Sequence, residues 1–241
     1  MRARPLRGRQ VATTRDTRGQ LDSLLARAGA DVIHVPLIEI EPGPDHSLAD
    51  ALSRLDSFDW LIVTSQHGAA SVAAAAAAHP AVRLAAVGTR TAAVLADIAG
   101  RPVDVVPGRQ TARDLVVALA GQGGRALVAQ ADRAASTLVD GLSELGFDVE
   151  AVTAYRTRLR TPTDRERIAL LGSDAVGFAS GSAVEAWIGT IGREAPPVVA
   201  AIGPTTAAVA DRLGLKVTHV AADQSVDGLV SAITAALSRP S

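Results

Sequence analysis

Side chains able to do covalent chemistry are few in this 241-residue chain, which has no cysteine and a single tyrosine. Without thiols there is no thiol nucleophile, thiolate metal site or disulfide. The histidines (His34, His46, His67, His79 and His219) lack metal-ligand spacing, and Asp16, Asp22, Asp132 and Glu185 form no motif. No Ser–His–Asp set assembles locally, and neither a GxxxxGK[ST] nor a GxGxxG loop is present. What remains is hydrogen bonding, restraint of a bound molecule and one phenol, Tyr155.

The strongest pattern is a phrase written twice, "AVGTRTAAVLADIAG" from Ala86 and "AIGPTTAAVADRLG" from Ala201. Each copy sets a Gly (Gly88, Gly203) after an apolar run and a Thr (Thr91, Thr206) three residues on. A helix start offers unpaired N–H groups and about half a positive charge, enough to bind carboxylate or phosphate without Lys or Arg. Thr14, Thr64 with Ser65, Ser180 with Ser182, and Thr205 mark the same kind of position. Singly, these are ordinary N-caps and turn glycines. Duplication favours a ligand-facing edge in each copy, with Arg90 opposite Thr205 making the copies unequal.

The elements that must hold these residues alternate along the whole chain. Strand candidates are 10–14, 31–34, 60–64, 83–87, 102–106, 125–129, 148–152, 174–178, 198–202 and 216–220. Helical stretches follow most of them, such as 19–28, 66–78, 91–99 and 207–213. Continuous apolar strands alternating with helices mark parallel sheets covered on both faces, so the class is α/β. Ligands then bind outside the carboxyl ends of the strands.

Three collinear segments repeat. "WLIVTS" matches "AVGFAS" 115 positions on, and "VDVVPGRQTARDLVVAL" matches "VTHVAADQSVDGLVSAI" 114 positions on. "VATTRDTRGQLDSLLARAGADV" matches "VAQADRAASTLVDGLSELGFDV" at 117, which makes duplication the best account. Two stretches, 35–44 and 152–162, alternate like strands and end at Pro. They read as crossovers, and the pattern fits either two units in tandem or a middle unit inserted into a split one. Tyr155 sits on the second crossover beside Arg156, Arg158 and Arg160, which share one face.

The formal net charge is −1 and aromatic residues make up 2%, so neither nucleic acid nor an acidic membrane is an expected partner. The Arg-rich start lacks a following apolar segment, and no run approaches the ~18 apolar residues of a membrane span. A cytoplasmic protein is expected.

Six quoted stretches, in order, resemble motifs of the uroporphyrinogen-III synthase family. They are "VATTRDTRGQLDSLLARAGADVIHVPLIEI", "DWLIVTSQHGAASV", "AVGTRTAAVL", "AVTAYRTRL", "VGFASGSAVEAW" and "AIGPTTAAVADRLG". The resemblance implies two flavodoxin-like lobes joined by a two-stranded antiparallel linker. Lobe 1 is then discontinuous (1–36 and 158–241), lobe 2 is inserted (37–157), and the linkers lie at about 35–44 and 152–162. It implies a monomeric lyase that closes hydroxymethylbilane into uroporphyrinogen III with ring D inverted and water lost. An azafulvene and a spiro-pyrrolenine are the implied intermediates in an interlobe cleft, with no metal or cofactor and with hydroxymethylbilane synthase as a transient donor. By motif, Tyr155 assists departure of the hydroxyl. Arg15, Ser65, Gly88, Thr91, Ser180, Gly203, Thr205 and Thr206 bind substrate. His67 stands where many members have Asn, and residues 122–136 depart most from the family pattern. The rival readings are a non-catalytic two-lobed tetrapyrrole- or polycarboxylate-binding sensory module and a binder of a phosphorylated small molecule.

Overall fold

The structure is a computed structural model and describes residues 4–43 and 46–238. The chain opens with β1 (Gln10–Thr13), α1 (Gln20–Arg27), β2 (Asp31–His34) and β3 (Ile38–Pro42). It continues through α2 (Ser47–Ser53), a 3₁₀ turn at Leu55–Ser57, β4 (Trp60–Val63), α3 (Gln66–Ala78), β5 (Arg83–Ala86) and α4 (Thr89–Ala99). Next come α5 (Ala112–Ala118), β6 (Arg125–Ala131), α6 (Thr137–Glu144) and the long β7 (Asp148–Leu159). The rest comprises α7 (Asp164–Leu171), β8 (Ala175–Phe178), α8 (Gly181–Thr190), β9 (Val198–Ala201), α9 (Pro204–Arg212), β10 (His219–Val220) and α10 (Val226–Leu237).

These elements form two compact units, Met1–Glu39 with Arg158–Ser241 and Ile40–Thr157. The first holds the parallel sheet β10-β9-β8-β1-β2, and the second belongs to the sheet β3-β7-β6-β4-β5. Pairings among β5, β4, β6 and β7 are parallel. The sequence repeat maps onto this order: β1 and β2 match β6 and β7, while β8 and β9 match β4 and β5. Equivalent helices even start in register, α1 at Gln20 with α6 at Thr137, and α5 at Ala112 with α10 at Val226. The chain passes between the units twice, along β3 and β7. The Arg160 N–H donates to the Leu37 carbonyl and Gly43 N–H to that of Ala154, so these strands run antiparallel.

Strands buried on both faces account for the apolar runs. In β4, Leu61 and Val63 pack with α3 and α4, whereas Trp60 and Ile62 point the other way, toward α5 and α6. In β8, Val176 and Phe178 pack with α8 and α9, while Ala175 joins the cluster of Leu21, Leu25, Leu229 and Ile233. Each fully buried Leu or Ile contributes about 1.5–3 kcal/mol.

Three strand expectations need correction. Residues 102–106 form no strand but one parallel bridge, Ala85 to Val105, because the Asp104 carboxylate accepts the Leu84 N–H at 2.7 Å. Of 216–220 only His219–Val220 pairs as strand, since Thr218 Oγ1 both accepts from Val199 N–H and donates to the Val199 carbonyl, each at 3.0 Å. Asp104 and Thr218 are equivalent repeat positions, so a side chain stands in for the ladder at the same edge of both sheets. Third, the strand expected at 148–152 continues to Leu159 as one of the two connections.

Two fastenings on these connections are testable. A Cβ on Gly43 would run into the Thr153 carbonyl, a backbone atom with nowhere to go. Gly43→Ala is expected to cost about 1–3 kcal/mol in denaturant unfolding, as overpacking does. Arg160 donates from Nε to the Pro36 carbonyl at 2.6 Å and grips Glu166 with both terminal nitrogens, at 3.2 and 3.0 Å. The Arg160 hydrogen bonds, followed by the Thr163 N–H, hold the Glu166 carboxyl down to about 2, against an ordinary value of 4.5. A depressed carboxylate adds stability above its unfolded value and loses it as pH falls through the folded one. The thermal-midpoint gap between the parent and Glu166→Gln is therefore expected to be widest above about pH 4.5 and to close toward pH 2.

Candidate functional site

The expected site residues fall at the carboxyl edges of the two sheets. In the first unit Arg15 follows β1, Ser180 follows β8, and Gly203, Thr205 and Thr206 follow β9. In the second, Ser65 follows β4, Gly88 and Thr91 follow β5, and Tyr155 lies on β7.

Helix starts at these edges fall into two kinds. Ser65, Thr111, Ser180 and Ser225 are N-caps whose hydroxyl oxygen accepts an N–H of the first turn, from Gly68, Asp114, Ala183 and Gly228 respectively. Such caps leave less of the helix end for a ligand. At α4 and α9 the N-caps are Gly88 and Gly203, which supply no side-chain hydrogen bond of their own, as is also true of Gly19 at α1 and Ser136 at α6. Helices α4 and α9 begin directly after the Gly, earlier than the expected 91 and 207. Thr91 and Thr206 therefore occupy the third helical position of their first turns, at only 7% and 5% exposure. Neither hydroxyl has a hydrogen-bond partner among the described residues. A hydroxyl without a protein partner in the first turn of a helix is suited to a carboxylate.

The two glycines have a steric reason. Both are extended (φ −150° and −177°), a conformation open to any residue. A Cβ on Gly88 would lie 2.5 Å from Gln110 Oε1, and one on Gly203 2.8 Å from Gln224 Cγ. Gln110 and Gln224 are equivalent repeat positions, and Gln110 Oε1 accepts the Thr89 N–H at 3.3 Å. The sequence reading missed this pair, although the offset of 114 aligns them.

Tyr155 is half-buried at the point where β7 departs from regular pairing. The register with β6 shifts there, so Gln130 faces Thr153 but Ala131 faces Tyr155. Such a bulge re-aims a side chain. The phenol ring rests against the His67 ring, with centroids 5.4 Å apart and planes tilted by 56°. Its hydroxyl has no hydrogen-bond partner among the described residues.

Arg15 is exposed and unpaired among those residues, on a loop fixed from beneath by a buried cluster that the sequence did not reveal. Thr13 Oγ1 donates to Asp22 Oδ1 at 2.6 Å, Gly19 N–H donates to Asp22 Oδ2 at 2.8 Å, and His34 Nδ1 lies 3.2 Å from Asp22. Burial pushes the Asp22 carboxyl up, but the Thr13 and Gly19 hydrogen bonds outweigh it and hold it below the carboxylate range. Burial lowers His34 despite the nearby Asp22. The signal available beforehand was an Asp three residues into a helix after Gly19. Among the described residues, no group of three or more His, Asp or Glu is placed to hold a metal ion.

The family model described as uroporphyrinogen-III synthase HemD matches residues 19–231. The chain belongs to the uroporphyrinogen-III synthase family. It is 28% identical to the chloroplastic uroporphyrinogen-III synthase of Oryza sativa subsp. japonica, over 94% of this chain and 80% of that protein. It is 29% identical to the uroporphyrinogen-III synthase of Synechococcus elongatus, over 97% of each. In fold it resembles the crystal structure of uroporphyrinogen-III synthetase from Helicobacter pylori, with TM-score 0.66 and 19% identity over 95% of this chain and 99% of that one. The repeated Gly-Thr motifs thus fall at two of the helix starts that lack a side-chain cap.

Proposed function

We propose that the chain works as a uroporphyrinogen-III synthase, with Tyr155 as its acid and the starts of α4 and α9 as carboxylate grips. The two matched Gly-Thr helix starts, one in each unit, carry this reading. Hydroxymethylbilane bears eight carboxylates, and helix-start N–H groups with a nearby hydroxyl hold such groups without a basic surface. Gly88 and Gly203 allow the close approach, Thr91, Thr205 and Thr206 bond carboxylate oxygens, and Ser65, Ser180 and Arg15 add donors. The two compact units serve as the two lobes.

On this reading the Tyr155 phenol donates its proton to the departing hydroxyl, releasing water and leaving an azafulvene cation. The substituted α-carbon of ring D bonds to the azafulvene carbon to give a spiro-pyrrolenine. Its bond to the old bridging carbon then breaks, that carbon closes on the other α-carbon of ring D, and the proton lost there returns to the Tyr155 phenolate. Unaided closure gives the uninverted isomer, so the enzyme must favour one folded conformation of the substrate. Orientation of this kind supplies several kcal/mol without a strong base. We also read the chain as a cytoplasmic monomer supplied by hydroxymethylbilane synthase; no helix among the described residues is long and apolar enough to cross a membrane.

The experiment supplies hydroxymethylbilane and resolves the oxidised products. Isomer III in excess over the no-enzyme control is expected. Isomer I alone, with retained porphyrinogen binding, would make the chain a tetrapyrrole-binding module instead.

A further inference from the structure

The second unit contains a cavity of about 700 Å³ beside the carboxyl ends of β4 and β6. That size lies within the roughly 300–1,000 Å³ of small-molecule sites. Its wall combines an apolar part, including Ala135 and Leu138, with Thr64, Gln130 and two cations, Arg109 and Arg113. One anion, Asp114, also lines it, held by the Thr111 hydroxyl and lying 3.4 Å from Arg109 Nε. Arg113 has no ion-pair partner among the described residues, so its charge is the wall's excess.

The duplication shows that these cations are not part of the scaffold. At the offset of 114, Gln110 and Thr111 match Gln224 and Ser225, which do the same packing and capping in the first unit. Arg109 and Arg113, however, match Asp223 and Asp227. The shared fold therefore accepts either sign at both positions, and only the second unit places positive charge there. Gln130 differs as well. Its equivalent is Thr13, whose hydroxyl is engaged by Asp22, whereas Gln130 Oε1 is buried with no donor. The terminal amide torsion is soft, so a donor entering the cavity can turn that oxygen toward itself.

We infer that this cavity is the subsite for one carboxylate-bearing pyrrole of the substrate, with Arg113 as the carboxylate contact and Gln130 as the acceptor for the pyrrole N–H. The apolar wall meets the ring face, and Arg109 adds a second cation at the rim. The inference rests on the proposed synthase reading and names the residues that give the second unit its preference for acidic side arms.

The test uses the full chain with Arg113→Gln, Arg113→Asp and the cavity-filling Ala135→Trp, and with Asp227→Asn as the control in the first unit. Binding of uroporphyrin III is measured by fluorescence, and KM and kcat are measured with hydroxymethylbilane. Arg113→Gln is expected to weaken uroporphyrin binding and raise KM about tenfold, as loss of one charge-assisted hydrogen bond does. Turnover should stay near the parent value; Arg113→Asp and Ala135→Trp should act in the same direction, and Asp227→Asn should change nothing. Unchanged binding and KM in all three variants, or a parent that binds no uroporphyrin III, overturns the subsite. If the parent makes only isomer I the synthase reading falls, and the binding comparison still decides the cavity.

Discussion

Tyr155→Phe is expected to lower kcat for isomer III by about 10²-fold or more, the usual scale for losing a general acid. Affinity for uroporphyrin III should change far less. The variant removes one oxygen from a ring whose packing lies elsewhere. The ring leans on His67 and the edge of the β4–β6–β7 sheet, and its hydroxyl bonds to nothing in the described protein. Phe therefore keeps the packing, so folding and ground-state binding are preserved while proton delivery to the leaving hydroxyl is lost. An effect on kcat and kcat/KM together, with binding retained, is the signature of an interaction made only in the transition state. Full turnover by Tyr155→Phe would remove the phenol from the mechanism and leave water or the substrate's own carboxylates to supply the proton. His67→Ala separates positioning from acid catalysis. It leaves the phenol in place but unsupported, and a smaller fall in kcat than that of Tyr155→Phe is expected.

The α/β class and the duplication are legible in the sequence because they rest on period and composition. A strand such as "WLIV", buried on both faces, has to be continuously apolar, and a repeated unit has to repeat its turns. Edge pairing is not legible in that way. Asp104 and Thr218 replace ladder hydrogen bonds with side-chain ones, so the stretches around them have strand-like composition and almost no strand. At the site, the residue types pointed to helix starts, but the division into capped and uncapped starts depends on which side chain reaches which N–H. Ser65 and Thr91 look equally suited to a ligand in sequence. In the structure the Ser65 oxygen already accepts the Gly68 N–H, while the Thr91 hydroxyl has no partner among the described residues. The Asp22–Thr13–His34 cluster joins residues from two strands and a helix, and no local spacing announces it.

Thr206→Val and Thr91→Val follow from that division and carry the second large effect. Val matches Thr in shape and in branching at Cβ, so the first turn keeps its packing and loses only a hydroxyl. Nothing in the described protein pairs with either hydroxyl, so thermal stability should hold. Activity should fall. A hydrogen bond to a charged group is worth about 1.5–3 kcal/mol, so each variant is expected to lose about 10- to 100-fold in kcat/KM. The two positions share no partner and lie in different units, so their losses should add in the double variant if each grips its own carboxylate. Sub-additive losses would mean that the two threonines serve one group. A Thr206→Val enzyme with parental kcat/KM would reduce that residue to a packing element. The anion grip of α9 would then rest on its backbone amides alone.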